Sequence, residues 1–202
     1  MMLLLNGLHI SYAFRKNGIK PIKDKFITVC MLFIGLTGLH AQTVKDIEGN
    51  VYKTITIGNQ VWMAENLKTT KLNDGTGIPI VTENSSWEAI NTPAYCYYDN
   101  NSSNNSVYGA LYNWYAVKTN KLCPKGWHVP YDKEWTNLKP LLGGYRGSDA
   151  TFLYLKDYSY WWTASESSNK SAYYRQVFWD GSDAKRDQTV KNDGFSLRCI
   201  MN

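Results

Sequence analysis

Val51-Tyr52-Lys53-Thr54-Ile55-Thr56-Ile57, then Gly58-Asn59, then Gln60-Val61-Trp62-Met63 is the stretch on which the fold reading turns. β-branched residues with apolar side chains at 51, 55 and 57 run into a two-residue turn pair and a second apolar run, which predicts a β-hairpin. Working outward, Asn73-Asp74-Gly75 predicts a turn. Ser85 with Glu88 three residues on predicts a capping box opening a short helix over Trp87 to Ile90. Ala94 to Tyr98 reads as a strand, and Asp99 to Ser106, a tract of Asn and Ser, as a solvated loop. Leu111, Trp114 and Tyr115 make a helical stripe over Gly109 to Val117, and Trp135, Leu138 and Leu142 a second over Asp132 to Leu142. Pro140 should end or kink that second helix near Lys139. Tyr160 to Ala164, Ala172 to Trp179 and Phe195 to Ile200 predict strands separated by Ser167-Ser168-Asn169, Asp180-Gly181 and Asn192-Asp193-Gly194. Strands at both ends with helices between them give an α+β domain, its sheet mixed but mostly antiparallel, with two main helices and termini able to meet in one sheet.

The first forty residues are of another kind. Lys16, Lys20, Lys23 and Lys25 precede an apolar run from Phe26 to Leu36, followed by Thr37-Gly38-Leu39-His40 and the small Ala41. That order is expected of a secretory signal with an extended N-terminal region over 1–41, cleaved after Ala41. An apolar run of about 11 residues falls short of the roughly 20 that a helix needs to cross a bilayer, so no permanent span is expected. Cys30 lies inside the run and not at the cleavage point, which argues against a lipid anchor. Arg15 and four lysines against Asp24 belong to this segment, leaving 17 basic and 16 acidic residues beyond it. The overall charge of +5 therefore implies no nucleic-acid partner. Residues 42–202 suffice for one domain with a real core.

All eight tryptophans and fourteen of the fifteen tyrosines lie in that part. Core packing accounts for most of them. Tyr158, Tyr160, Trp161, Trp162, Tyr173, Tyr174 and Trp179 are nevertheless more rings than one strand pair buries on one face. A candidate ligand surface follows: Tyr145, Tyr160, Trp161, Trp162, Tyr174 and Trp179. Burial of both faces is the competing reading. Beyond the signal, His128 is the one histidine, and no Gly-x-Ser-x-Gly elbow surrounds a nucleophile, so no catalytic residue is assigned and His128 is expected to have a structural role, such as a ring nitrogen bonded to backbone. One His and three cysteines at unrelated spacings give no zinc set. Asp180, Asp183 and Asp187 have no calcium-loop spacing and alternate with Lys185 and Arg186, so they read as a solvated hairpin; neither metal nor cofactor is expected. Export permits a disulfide among Cys96, Cys123 and Cys199, and the odd count leaves one thiol over without fixing the pair.

Five blocks carry a resemblance over nearly all of 42–202: Gly58-Asn59-Gln60-Val61-Trp62-Met63-Ala64-Glu65-Asn66-Leu67, Tyr108-Gly109-Ala110-Leu111-Tyr112-Asn113-Trp114, Leu122-Cys123-Pro124-Lys125-Gly126-Trp127-His128-Val129-Pro130, Trp161-Trp162, and Gly194-Phe195-Ser196-Leu197-Arg198-Cys199. In this order they resemble the Fibrobacter succinogenes major paralogous domain, a family of exported proteins of Bacteroidetes and Fibrobacteres without an established activity. The resemblance implies a C-type lectin-like fold and, through the bridge of that fold, a Cys123–Cys199 disulfide. The sugar-binding tripeptides of C-type lectins (Glu-Pro-Asn, Gln-Pro-Asp, Trp-Asn-Asp) do not occur, and nothing matches the cysteine pair of the formylglycine-generating enzymes. Two departures stand out. Leu141-Leu142 passes directly into Gly143-Gly144-Tyr145-Arg146 where the family has a Gly, Asn and Ser-rich insertion, which puts an inherited ligand site in doubt. Tyr131 replaces a capping Ser or Thr, so Asp132 is expected to cap the helix one residue later.

The expectation is a secreted or surface-held, non-catalytic module whose unknown ligand is a protein or a glycan. The alternative is a structural envelope component that associates with itself or with surface partners.

Overall fold

The computed structural model describes residues 42–135, 142–180 and 184–202, which belong to one compact unit. The chain begins with β1 (Thr43–Lys45), β2 (Val51–Ile57) and β3 (Gln60–Met63). The expected hairpin is present: Ile57 pairs with Gln60 around Gly58-Asn59, and Ile55 with Trp62. Tyr52, Trp62 and Met63 are buried, while Val51, Lys53 and Ile55 face out, so β2 covers the core with one face only.

A helix α1 (Asn84–Glu88) follows, two to three residues earlier than expected. Its N-cap is Glu83, without a side-chain cap, so Ser85 lies inside the helix and the predicted capping box is absent. Next come β4 (Tyr95–Cys96), α2 (Asn105–Tyr108), β5 (Leu111–Tyr112) and α3 (Trp114–Lys118). The Asn and Ser tract is not a featureless loop. Asn104 Nδ2 donates to Tyr98 O, Asn100 Nδ2 to Thr82 O, and Asn101 Oδ1 accepts from Ser103 N–H, so short amide side chains supply the bonds of tight helical turns.

The single helix expected over 109 to 117 is instead a strand followed by a helix. Gly109 sits at φ +78, where an added Cβ would come within 2.7 Å of Leu67 O. Leu111 pairs with Cys96, and the Asn113 carboxamide accepts from Ala116 N–H to start α3.

The chain ends with β6 (Trp127–His128), β7 (Gly143–Arg146), β8 (Phe152–Leu155), β9 (Tyr158–Glu166), β10 (Ser171–Phe178), β11 (Lys185–Val190) and β12 (Ile200–Met201). Of the helix expected over 132 to 142, the described part is one tight turn at Asp132–Glu134 ending in extended backbone at Trp135; Pro140 and its kink lie outside the described residues. The N-cap is Tyr131, whose N–H donates to Glu134 Oε2 at 2.8 Å. Asp132 therefore does not cap, because its carboxylate is taken by Arg175 and Arg186.

The architecture is mostly antiparallel sheet with few, short helices. One sheet has the order β1-β2-β3-β12-β6, which brings the two ends of the domain together as expected; the other has the order β11-β10-β9-β7-β8, with β7 parallel to β9. Between them lies the main core, including Tyr112, Trp114, Trp162, Phe195 and Leu197. Cys123 and Cys199 form a disulfide, Cα to Cα 5.9 Å, that ties the loop after α3 to the segment entering β12. Cys96 is free and buried, and burial pushes its thiol up to about 12. Among the described residues no helix is long and apolar enough to cross a membrane.

Candidate functional site

The sheet of β7 to β11 has two different faces, set by strand alternation. On one, Trp161 in β9 points to Asn66, Arg198 and Trp135. On the other, Tyr158, Tyr160 and Trp162 follow one another along β9, with Tyr174, Gln176 and Phe178 beside them on β10. Lys185 and Asp187 of β11 pair with Gln176 and Tyr174, which places both on that second face.

Tyr160 is the floor of a cup on this face. It is 6% exposed, and the rings of Tyr145, Tyr154, Tyr158 and Tyr174 surround it at centroid distances of 4.7, 6.4, 6.0 and 5.9 Å. Phe195 backs the floor at 5.3 Å, so the rings rest on core and not on one another alone. The Gln176 amide donates to the Tyr160 hydroxyl at 3.3 Å. Burial, and then the phenols of Tyr145, Tyr174, Tyr154 and Tyr158, push the Tyr160 hydroxyl well above the usual tyrosine range. Tyr174 is pushed up to about 12 by burial and by the carboxylates of Asp187 and Asp193, and Tyr145 is raised by burial and by Asp193. All three are neutral O–H donors at physiological pH.

Tyr154 reaches the cup by an irregularity. Leu153 is the cross-strand partner of Tyr145, so regular alternation would turn Tyr154 to the opposite face. Instead Tyr154 adopts φ +62, and its ring stacks on Tyr145 at 6.0 Å and meets Tyr158 edge-on at 5.0 Å. A bulky residue in the left-handed region costs about 1–2 kcal/mol, a strain that clusters at ligand clamps and similar sites. The ring is 46% exposed, so its burial returns little of that cost.

Against this geometry the expected ligand surface divides. Trp161 and Trp162 are fully buried and form no part of it, because core covers both faces of β9 at that point: Trp162 packs on Phe195 at 4.5 Å and donates to Tyr112 O, and Trp161 donates to Asn66 Oδ1. Tyr145, Tyr160 and Tyr174 lie together in the cup. Trp179, 72% exposed, stands just after β10. Tyr154, Phe178, Gln176 and Asp187 are added by the structure. The period of two along β10 puts Gln176 and Phe178 on the face of Tyr174, a signal the sequence reading did not use, whereas a positive φ at Tyr154 leaves no mark in the sequence.

His128 bonds side chains and not backbone, Nδ1 to Asn202 Oδ1 at 2.7 Å and Nε2 to Glu134 Oε2 at 3.1 Å. An open cleft of about 340 Å³ is lined by Tyr131, Asp132, Lys133, Ser165, Tyr173 and Arg186. Its one carboxylate, Asp132, is taken by Arg175 at 2.7 Å and Arg186 at 2.6 Å. Asp183 lies outside the described residues. Among those described, no three His, Cys, Asp or Glu side chains are placed to hold a metal ion.

The sequence blocks also acquire a physical meaning. Asn66 gives Nδ2 to Tyr108 O at 2.8 Å and accepts at Oδ1 from Trp161 Nε1 and Arg198 Nε, so one carboxamide joins four of the five blocks. Three blocks fall within 55–146, the segment that matches the Fibrobacter succinogenes major domain family. Residues 55–146 match a Fibrobacter succinogenes major domain. No curated protein and no solved structure matches the chain. Of the cup, only Tyr145 falls inside the major-domain segment; Tyr154, Tyr158, Tyr160 and Tyr174 come after it.

Proposed function

We propose that this chain is an exported, non-catalytic binding module of C-type lectin-like type, and that the tyrosine cup around Tyr160 is its binding surface. The observation that carries the reading is the convergence of four part-exposed tyrosines on a fifth, braced from below by Phe195. Rigid aromatic surface loses little entropy on binding and offers both an apolar face and a hydroxyl. Export is supported by the basic, apolar and small-residue order of the first 41 residues together with the disulfide. The lectin-like assignment is supported by the position of that disulfide and by the shared sheet of the first and last strands. A non-catalytic role fits a domain with one histidine and no nucleophile motif around a serine or cysteine.

One observation favours a structural envelope role instead: the strongly exposed Trp179 beside β11, an edge strand open to pairing. Tyrosine nitration on producing cells, read by mass spectrometry, separates the readings. Tyr154 and Tyr158 protected relative to the exposed Tyr131, with protection lost in dilute purified protein, identifies the cup as an occupied surface. Equal nitration of the three removes the cup from the binding reading. Protection that grows with the concentration of purified protein assigns the face to self-association.

A further inference from the structure

Resting on the reading of the cup as a binding surface, we propose that its ligand is a neutral glycan, held by ring stacking on Tyr154 and Tyr158 and by hydrogen bonds to the phenols of Tyr145, Tyr160 and Tyr174 and to Asp187. The first ground is the mixture of groups. Apart from Phe178 beside Tyr158 and the backing Phe195, every ring of the cup carries a hydroxyl, and the Gln176 amide enters the same cluster. A protein-docking hot spot centres on fully desolvated Trp, Tyr or Arg anchors, whereas Tyr154 stays 46% exposed. Here apolar ring bodies alternate with a dense set of small donors and acceptors, which complements a polyol having C–H faces and hydroxyl edges.

The second ground is charge. Asp187 and Asp193 act on Tyr174, and Asp193 and Asp149 on Tyr145, so one side of the cup lies in a field of carboxylates. Lys185 pairs with Gln176 in the row of Tyr160, and its Nζ leans away to lie 4.6 Å from the Phe178 centroid, one cation against these carboxylates. Carboxylates accept from sugar hydroxyls and repel uronates, sulfates and phosphates, which selects a neutral chain over an acidic one. The third ground is Tyr154. Its left-handed backbone turns outward a ring that regular pairing would place on the other face, and its stacking on Tyr145 fixes that ring before any ligand arrives.

The same strain makes the test specific. Tyr154→Gly removes the ring and suits the φ of +62, so it should keep or raise the melting temperature. Purified full-length protein is screened on an array of neutral and uronate oligosaccharides, and the best neutral hit is titrated calorimetrically. The expected result is saturable binding to a neutral oligosaccharide, weaker binding to its uronate counterpart, and an affinity about tenfold lower in Tyr154→Gly. Arg186→Ala, on the opposite face, should leave that affinity unchanged. No neutral binding, equal or tighter uronate binding, or an affinity that Tyr154→Gly leaves unaltered overturns the proposal. If it fails while Tyr154 and Tyr158 stay protected from nitration on cells, the cup remains a binding surface and its occupant is a protein.

Discussion

The indole N–H of Trp161 donates to Oδ1 of Asn66 over 2.9 Å, joining residues 95 positions apart inside the core. Arg198 Nε reaches the same oxygen at 3.1 Å, and its guanidinium lies 4.9 Å from the Trp161 ring. Burial lowers the Arg198 pKa to about 10, which leaves it charged under ordinary conditions and in need of that acceptor.

Asn66→Ala should therefore be among the most damaging single changes. It orphans a buried indole donor, a buried guanidinium N–H and the Tyr108 carbonyl, and we expect a loss of about 3 kcal/mol in denaturant unfolding. A variant within about 0.5 kcal/mol of wild type would show that water replaces the carboxamide.

The disulfide closes a separation of 76 residues. Replacing both Cys123 and Cys199 by Ser should lower stability by about 4 kcal/mol, chiefly by releasing the unfolded chain. Cys96→Ala should have a much smaller effect, since that thiol is an unpaired small hydrophobe. Comparing the urea midpoints of the two variants tests the contrast.

Glu166 should contribute to acid sensitivity beside Glu48, Glu65, Asp74 and Asp149, whose carboxyls are likewise held low. The hydrogen bond to Glu166 from the buried Lys191, 3% exposed, holds its pKa below the ordinary 4.5. A carboxyl whose folded pKa is depressed contributes stability above its unfolded value, and that contribution is lost as pH falls from about 4.5 through the lowered pKa. Glu166→Gln should reduce the urea midpoint near neutrality and flatten its decline below pH 4.5. A parallel decline in both proteins would assign the acid dependence to other groups.

Alkaline unfolding has the opposite sign. Burial raises Tyr52, Tyr95, Tyr112, Tyr160 and Tyr174 above the ordinary 10, Tyr174 to about 12. Their contribution is complete below pH 10 and is lost as pH rises through the folded values, because the unfolded chain ionises first. Phenolate absorbance and circular dichroism should thus change together above pH 10 for these residues. Full phenol ionisation with the fold intact would refute their burial.

Gly144 in the Gly143-Gly144-Tyr145-Arg146 block sits at φ +60, and a Cβ there would come within 2.5 Å of Leu153 O and 2.7 Å of Tyr98 Cε2. Gly144→Ala should cost at least about 2 kcal/mol, from left-handed backbone and overpacking together. Gly77→Ala, with nothing within 4 Å of the added carbon and no positive φ, is the control that should change little.

The hairpin around Gly58-Asn59, the strands of Tyr160 and Ala172, the meeting of the termini and the family of residues 55–146 were all legible from residue order, because each depends on local turn chemistry, a short alternating period or block similarity. The helix expected over 109 to 117 was misread for a local reason: Leu111, Trp114 and Tyr115 have helical spacing, but Gly109 breaks the run and Leu111 finds a cross-strand partner in Cys96. Which aromatic rings face water was not a property of sequence. Trp161 and Trp162 carry the same signal as Tyr158 and Tyr174, yet core closes over β9 on both faces at the tryptophans and opens at the tyrosines. Composition thus determined that this protein has more rings than a single face can bury. Only the tertiary structure decided that five of them form a cup, because that depends on strand order and on the sign of one backbone angle at Tyr154.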